Sequence, residues 1–240
     1  MLEKLEKFQI LTLGALIGLA LIVSTKIVSS AIARNEISVT GSAFEIVKSD
    51  KGSLEFDIHV KKPTKQEAYA TAQNQFKEVE KYLKDKGIKN IELKTSNGYD
   101  VYKNDPKTGY STNIPEAYNY YQPVLISSDN VEIIREISND ITGLIDKGIN
   151  IEVRTPSYDY SKMADLKVSL LEKASQDAKN RAKSMLKPTG SSVGKVKSVR
   201  MGVYQITPVD STNVSDSGIN DTSTIDKKIT AVANVTFRIK

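Results

Sequence analysis

An α+β domain behind an amino-terminal membrane segment is the fold class this sequence predicts, and three observations carry it. Residues Phe8 to Val23 form an apolar run in which Gln9 and Thr12 are the only polar side chains. Beyond that run, stretches with the two-residue period of strands alternate with stretches of helical, 3.6-residue period. Cysteine is absent from all 240 residues, which excludes disulfides, zinc-thiolate sites and thiol catalysis together.

The leader comes first. A helix needs roughly 17 to 25 mostly apolar residues to cross a bilayer core, and the run suffices once Ser24 to Val28 is added, with Lys26 snorkelling. A cleaved secretory signal fits the same stretch, because Lys4 and Lys7, the apolar middle and the Ala31-Ile32-Ala33 site supply its three parts. Against cleavage, Ala33 lies well beyond Val23, with Lys26 between them. The expectation is an uncleaved anchor over residues 1–33 and an exported domain over 34–240. A buried amphipathic core helix fits poorly, since Leu11 to Val23 presents no polar face. Lys4 and Lys7 on one side balance Lys26 and Arg34 on the other, so flanking charge does not orient the segment.

A chain of 240 residues with 39% hydrophobic residues can bury one sizeable core, or two small ones, once the leader is set aside, and one compact domain is the simpler expectation. Leu54 to Lys61 alternates apolar Leu54, Phe56, Ile58 and Val60 with polar Glu55, Asp57, His59 and Lys61, the pattern of a half-buried strand. Thr64 caps the helix that follows, with Glu67 in the capping-box position and Ala68, Ala72, Phe76, Val79 and Leu83 as its apolar stripe; Gly87 ends it. Ile91 to Val101 reads as a strand with a bulge near Gly98. An irregular polar stretch runs from Asn104 to Ala117, and Tyr118 to Ser127 resumes strand character. Pro123 inside it lacks a backbone donor and points to an edge position or a bulge.

Asp129 with Glu132 marks a second helix, whose Val131, Ile134, Ile137, Ile141 and Leu144 face a core until Gly148. Ile149, Ile151 and Val153 make the next strand. From Leu54 to Thr155 the order is strand, helix, strand, strand, helix, strand, which is a ferredoxin-like βαββαβ core with an antiparallel sheet. A longer helix follows from about Ser161 to Lys187, stopped by Pro188 and Gly190, and would extend about 40 Å. Carboxy-terminal strands complete the domain: a short one at Val193 to Val203 and a nearly strictly alternating one through Ile229, Ala231, Ala233, Val235, Phe237 and Ile239. The loop Thr207 to Asp226, rich in Ser, Thr, Asn and Asp, is expected to carry the least order.

Four segments resemble the SIMPL-domain family of bacterial envelope proteins. They are Ile37 to Ala43 just after the export segment, Leu83-Lys84-Asp85-Lys86-Gly87-Ile88 at a helix end, Lys173 to Ala182 in the long Ala-rich helix, and Ile225 to Val232 leading into the last strand. The resemblance implies a periplasmic or surface-exposed α+β domain, anchored or secreted, that tends to self-associate and has no agreed enzymatic activity. Some members are linked to stress tolerance. It implies no catalytic set to carry onto these residues.

The residues themselves give the same picture. His59 is the only histidine, so a Ser-His-Asp triad would have to pass through it, yet no Gly-x-Ser-x-Gly elbow is present and an exposed strand explains it. Asp57 and His59 fall short of the three or four ligands a metal requires. Asp100 with Asp105, and Asp216 with Asp221, read as turn-forming aspartates. Six of the eleven tyrosines lie between Tyr99 and Tyr121, where rings suit either cross-strand packing or an interface. The long helix carries Lys162, Lys173, Lys179, Arg181, Lys183 and Lys187, a solvated face or a surface for anionic lipid or an acidic partner. The net charge of +5 is spread along the chain and identifies no nucleic-acid surface.

The expected function is therefore that of a non-enzymatic cell-envelope protein, held in the cytoplasmic membrane with its domain outside. It self-associates as a homo-oligomer or binds an envelope protein partner, takes no cofactor or metal, and binds no nucleic acid. Candidate interface residues are Tyr118, Tyr120, Tyr121, Lys173, Lys179 and Arg181. The alternative is an exported small-ligand binder or hydrolase that uses carboxylates and tyrosines near the 99–121 hairpin.

Overall fold

The computed structural model describes residues 2–32 and 35–240. The possible cleavage point after Ala33 lies outside the described residues. The chain opens with helix α1 (Leu2–Ile32), then β1 (Glu36–Lys48), β2 (Lys51–Lys62), α2 (Lys65–Asp85), β3 (Asn90–Leu93), β4 (Asn97–Asn104) and β5 (Ser111–Ser128). It continues with α3 (Val131–Asp140), a 3-10 turn (Ile141–Lys147), β6 (Ile151–Val153), β7 (Ser157–Asp159), α4 (Met163–Leu186) and a second 3-10 turn (Lys187–Thr189). Last come β8 (Val193–Met201), β9 (Gln205–Pro208), β10 (Ile219–Asn220) and β11 (Asp226–Ile239). The fold is mixed α+β, with two sheets and four α-helices among the described residues. One sheet runs β1-β11-β9-β10 with β8 on β11; the other runs β3-β5-β2-β6 with β4 on β5 and β7 on β2.

Two compact units make up the chain. The larger comprises Ser42–Ala174 and Gly202–Val232. Its core joins Leu54, Phe56, Ile58 and Val60 of β2 and Val124 and Ile126 of β5 to Ala68, Ala72, Val79 and Leu83 of α2 and Ile134 and Ile137 of α3. The alternation read from Leu54 to Lys61 is thus the burial pattern of β2. Thr64 caps α2 by accepting from the Glu67 amide at 3.2 Å. Asn130, rather than Asp129, caps α3, its side-chain oxygen accepting from the Glu132 amide at 3.1 Å. The second helix is α-helical only to Asp140; its last two turns tighten into the 3-10 turn, which Gly148 closes at φ 75°.

Three other expectations change. The strand expected over Ile91 to Val101 is two strands, β3 and β4, separated by residues 94–96. The stretch expected to be irregular up to Ala117 is ordered hairpin from Ser111 onward, its register shifting between Val101 and Tyr102. Pro123 stands in a central strand, opposite Asp57 on one side and facing the gap between β3 and β4 on the other.

Pro123 is tolerated there because Gln122 replaces its missing donor. The Lys94 amide donates to the Pro123 carbonyl at 3.0 Å, and the return bond to the Lys94 carbonyl, at 2.9 Å, comes from the Gln122 side-chain amide. Tyr120 donates its hydroxyl to the Gln122 oxygen at 3.2 Å, which completes a buried network. Gln122→Leu leaves two buried groups unpartnered and is expected to cost about 1–3 kcal/mol in denaturant unfolding. Adding Pro123→Ala, which restores a backbone donor at that spot, is expected to recover part of the loss.

The loop expected to be least ordered, Thr207 to Asp226, is instead pinned within the larger unit. Gln205 exchanges two bonds with Ser215, at 2.7 and 3.3 Å. Lys228 reaches the Ser211 carbonyl at 2.7 Å, and β10 pairs in parallel with β9.

The smaller unit consists of the stretch from α1 to Gly41, Ser175–Met201 and Ala233–Lys240. Ala178, Ala182 and Leu186 of α4 are buried in the fold, as are Val39, Ala233, Val235 and Phe237 on their strands. The α1 side chains described are exposed almost throughout, Leu16 to 63% and Leu19 to 64%. Thr12–Ser29 is an 18-residue window of mean hydropathy 1.8 with none of it buried, long and apolar enough to cross a membrane.

Candidate functional site

The polar side chains of β2 point away from α2 and α3 and share one sheet face with alternate residues of β4, β5 and β6. Two clusters occupy it. In the first, the Glu55 carboxylate takes the Lys94 ammonium at 2.8 Å and the Arg154 guanidinium at 3.1 Å, and Arg154 reaches Asp57 at 3.2 Å. The Lys94 hydrogen bond holds the Glu55 carboxyl below its ordinary value; burial opposes the shift and Arg154 reinforces it. The bond to Asp57, with the Glu55 charge beside it, raises Arg154 further above its ordinary range.

The second cluster is a row of rings across three strands. His59 stacks on Tyr121 with centroids 4.4 Å apart and planes 2° from parallel, and Tyr99 follows at 6.2 Å. The Asn119 oxygen lies 3.2 Å from His59 Nε2 and the Asn150 amide nitrogen 3.1 Å from Nδ1, so each ring nitrogen has an asparagine partner. The Tyr99 and Tyr121 hydroxyls meet at 3.5 Å. That contact, with burial, pushes the Tyr121 phenol up to about 12, while Tyr99 is drawn down by the same bond.

The candidate interface residues are dispersed by this geometry. Strand alternation sends Tyr118 and Tyr120 to the helix side and leaves Tyr121 on the open face. Tyr120 is buried, edge-on to Tyr69 at 5.9 Å. Tyr118 is half-buried beneath the Lys65 ammonium, 5.1 Å from its ring centre. On α4, Lys173 pairs with Glu45 at 2.8 Å in the larger unit. In the smaller unit Arg181 pairs with Asp177 at 2.7 Å and Lys179 is exposed. Asp100 pairs with Lys65 at 3.3 Å, and Asp105 caps a turn by accepting from the Lys107 amide at 2.7 Å. Among the described residues, no three His, Asp or Glu side chains converge to hold a metal ion.

One polar site was not singled out by the sequence reading. Lys227 is 2% exposed and donates to the Asp221 backbone carbonyl at 2.7 Å, with the Asp221 carboxylate 3.6 Å away. Burial pushes Asp221 up, but the hydroxyls of Thr224 and Ser223, the Ser223 amide and the Lys227 charge together bring it down to about 2. Burial draws Lys227 below its ordinary value, and Asp221 offsets only part of that. The signal was parity: residue 227 continues the odd-numbered series 229, 231, 233, 235 and 237 that β11 buries.

The fold is mixed α+β with an open polar sheet face, and comparison with known families gives it a place. The chain belongs to the SIMPL family, described as a protein of unknown function (DUF541), which residues 37–239 match. No curated protein matches the chain.

Proposed function

We propose that this SIMPL-family chain is a non-enzymatic cell-envelope protein whose α1 anchors it in the cytoplasmic membrane. Its domain stands outside that membrane and either self-associates or binds another envelope protein. The observation that carries the reading is α1 itself: its Thr12–Ser29 window is apolar and unburied, costly to leave in water, and it precedes the family domain that begins at residue 37. Antiparallel strand order β3-β5-β2-β6, with α2 and α3 as connections, supports a ferredoxin-like core.

The open face with Tyr99, Tyr121 and His59 is the contact surface best suited to a protein partner, since half-exposed rings ringed by polar groups are typical of interfaces. Lys173, Lys179 and Arg181 remain secondary candidates. The non-enzymatic reading is favoured by the engagement of the candidate groups: both His59 nitrogens are held by asparagines, and Asp100 and Asp105 are held by a lysine and a turn. Chemical cross-linking of the full chain in detergent, with mass measurement, tests the association. Discrete multimers that disappear in a Tyr99→Ala/Tyr121→Ala variant are expected; a strict monomer at high concentration that also captures no envelope protein would count against the reading.

A further inference from the structure

We infer that the end of the smaller unit where β1 begins is a docking surface for anionic lipid headgroups, an inference that rests on α1 spanning the membrane. Ile32 ends α1 and Glu36 begins β1. Four residue steps reach about 14 Å at most, so the first residues of β1 cannot leave the neighbourhood of the bilayer surface.

Backbone bonds fix what else lies at that end. The Asn35 carbonyl accepts from the Ile239 amide at 2.9 Å, and Ser192 and Lys240 exchange two bonds of 2.8 Å. Ile239 stands opposite Val193 and Phe237 opposite Val196. The end of β11 and the start of β8 therefore sit beside the start of β1. α4 arrives at the same place, through the Lys187–Thr189 turn and Gly190 at φ 72°, immediately ahead of β8.

These stretches are one-sided in charge. Residues 35–41, 183–201 and 233–240 contain a single acid, Glu36, against Lys183, Lys187, Lys195, Lys197, Arg200, Arg238 and Lys240. Glu36 is already taken by Lys197. Lys183, Lys187, Lys195 and Arg238 are exposed and have no ion-pair partner among the described residues. Arg200, opposite Asn234, stands at the far end of β8, but Lys187, Lys195, Arg238 and Lys240 gather beside the start of β1, so charge that looks dilute along the sequence is concentrated there. Basic groups held within a Debye length of anionic headgroups attract them, and salt screens that attraction.

The test uses the full chain in phosphatidylcholine vesicles containing about one quarter phosphatidylglycerol. Because the chain has no cysteine, Ser192→Cys carries a single donor dye, and acceptors are placed on the headgroup of either lipid. Energy transfer to labelled phosphatidylglycerol is expected to exceed that to labelled phosphatidylcholine by about threefold. The excess is expected to vanish in Lys183→Gln/Lys187→Gln/Lys195→Gln/Arg238→Gln and, for the unsubstituted surface, in about 1 M salt. Free phosphate at matched ionic strength should leave it unchanged; its loss there would mean a site for free anions and would overturn the inference. Equal transfer to both lipids, or an excess that survives the four substitutions, overturns it while leaving the anchor intact. Failure of the chain to float with the vesicles overturns the anchor and the inference together.

Discussion

Asp221→Ala is expected to destabilise the larger unit by about 3–5 kcal/mol, the cost of leaving a buried charge without its partner. Lys227 is almost fully enclosed, and its ammonium meets both the carbonyl and the carboxylate of Asp221. Removing the carboxylate also frees the Thr224 and Ser223 hydroxyls that fold loop 221–224 around it. Lys227→Met, which fills similar volume without charge, is expected to cost less, because Asp221 keeps both hydroxyls and the Ser223 amide. Denaturant unfolding of the two variants measures the difference; equal losses would show that the charge pair is not what the site requires.

The same pair gives stability a pH dependence with a definite sign. Asp221 falls from its ordinary 3.8 to about 2 in the folded chain. Its contribution, about 2 kcal/mol, is fully present above pH 4 to 5 and is lost as pH falls toward 2. Lys227 acts in the opposite sense. Its lowered value makes the charged form a cost, which is relieved as pH rises from that value toward the ordinary 10.5.

Leu16→Arg/Leu19→Arg is expected to abolish stable membrane retention. Each arginine near the middle of a spanning helix costs roughly 2.5–3.5 kcal/mol on an insertion scale, and two together exceed what a window of mean hydropathy 1.8 can offset. Both leucines are more than half exposed. Alkaline carbonate extraction reads the outcome: the unsubstituted chain stays in the pellet and the variant moves to the supernatant. A variant that pellets like its parent would show that something other than α1 holds the chain to the membrane.

Where one residue's environment is set by its own strand or helix, the sequence was enough. The alternation of Leu54 to Lys61 is the burial of β2, and Thr64 and Gly148 end their elements for reasons visible in the chain itself. Pro123 misled because its missing donor is supplied by Gln122, whose side chain meets the Lys94 carbonyl only after β3 and β5 have paired. Tyr118, Tyr120 and Tyr121 looked like one cluster because sequence proximity hides the pleat, which sends adjacent rings to opposite faces. The His59 row needs three strands in register and has no one-dimensional signature. Lys227 was legible and passed over: a lysine in the buried parity of β11 is a local contradiction, and such contradictions mark buried pairs. The basic end of the smaller unit depends on β-pairing that brings Lys195 of β8 beside Arg238 of β11, with Lys187 in the turn just ahead of β8, which no charge count along the chain could reveal.

Protease treatment of sealed, wall-stripped native cells, followed by mass and amino-terminal analysis of what stays in the membrane, tests the anchored-outside account most directly. The account predicts that the domain beyond residue 35 is digested while a fragment containing Thr12–Ser29 remains membrane-bound with the original amino terminus. A full-length chain that resists the protease and is recovered in the soluble cytoplasmic fraction with its leader intact would contradict it.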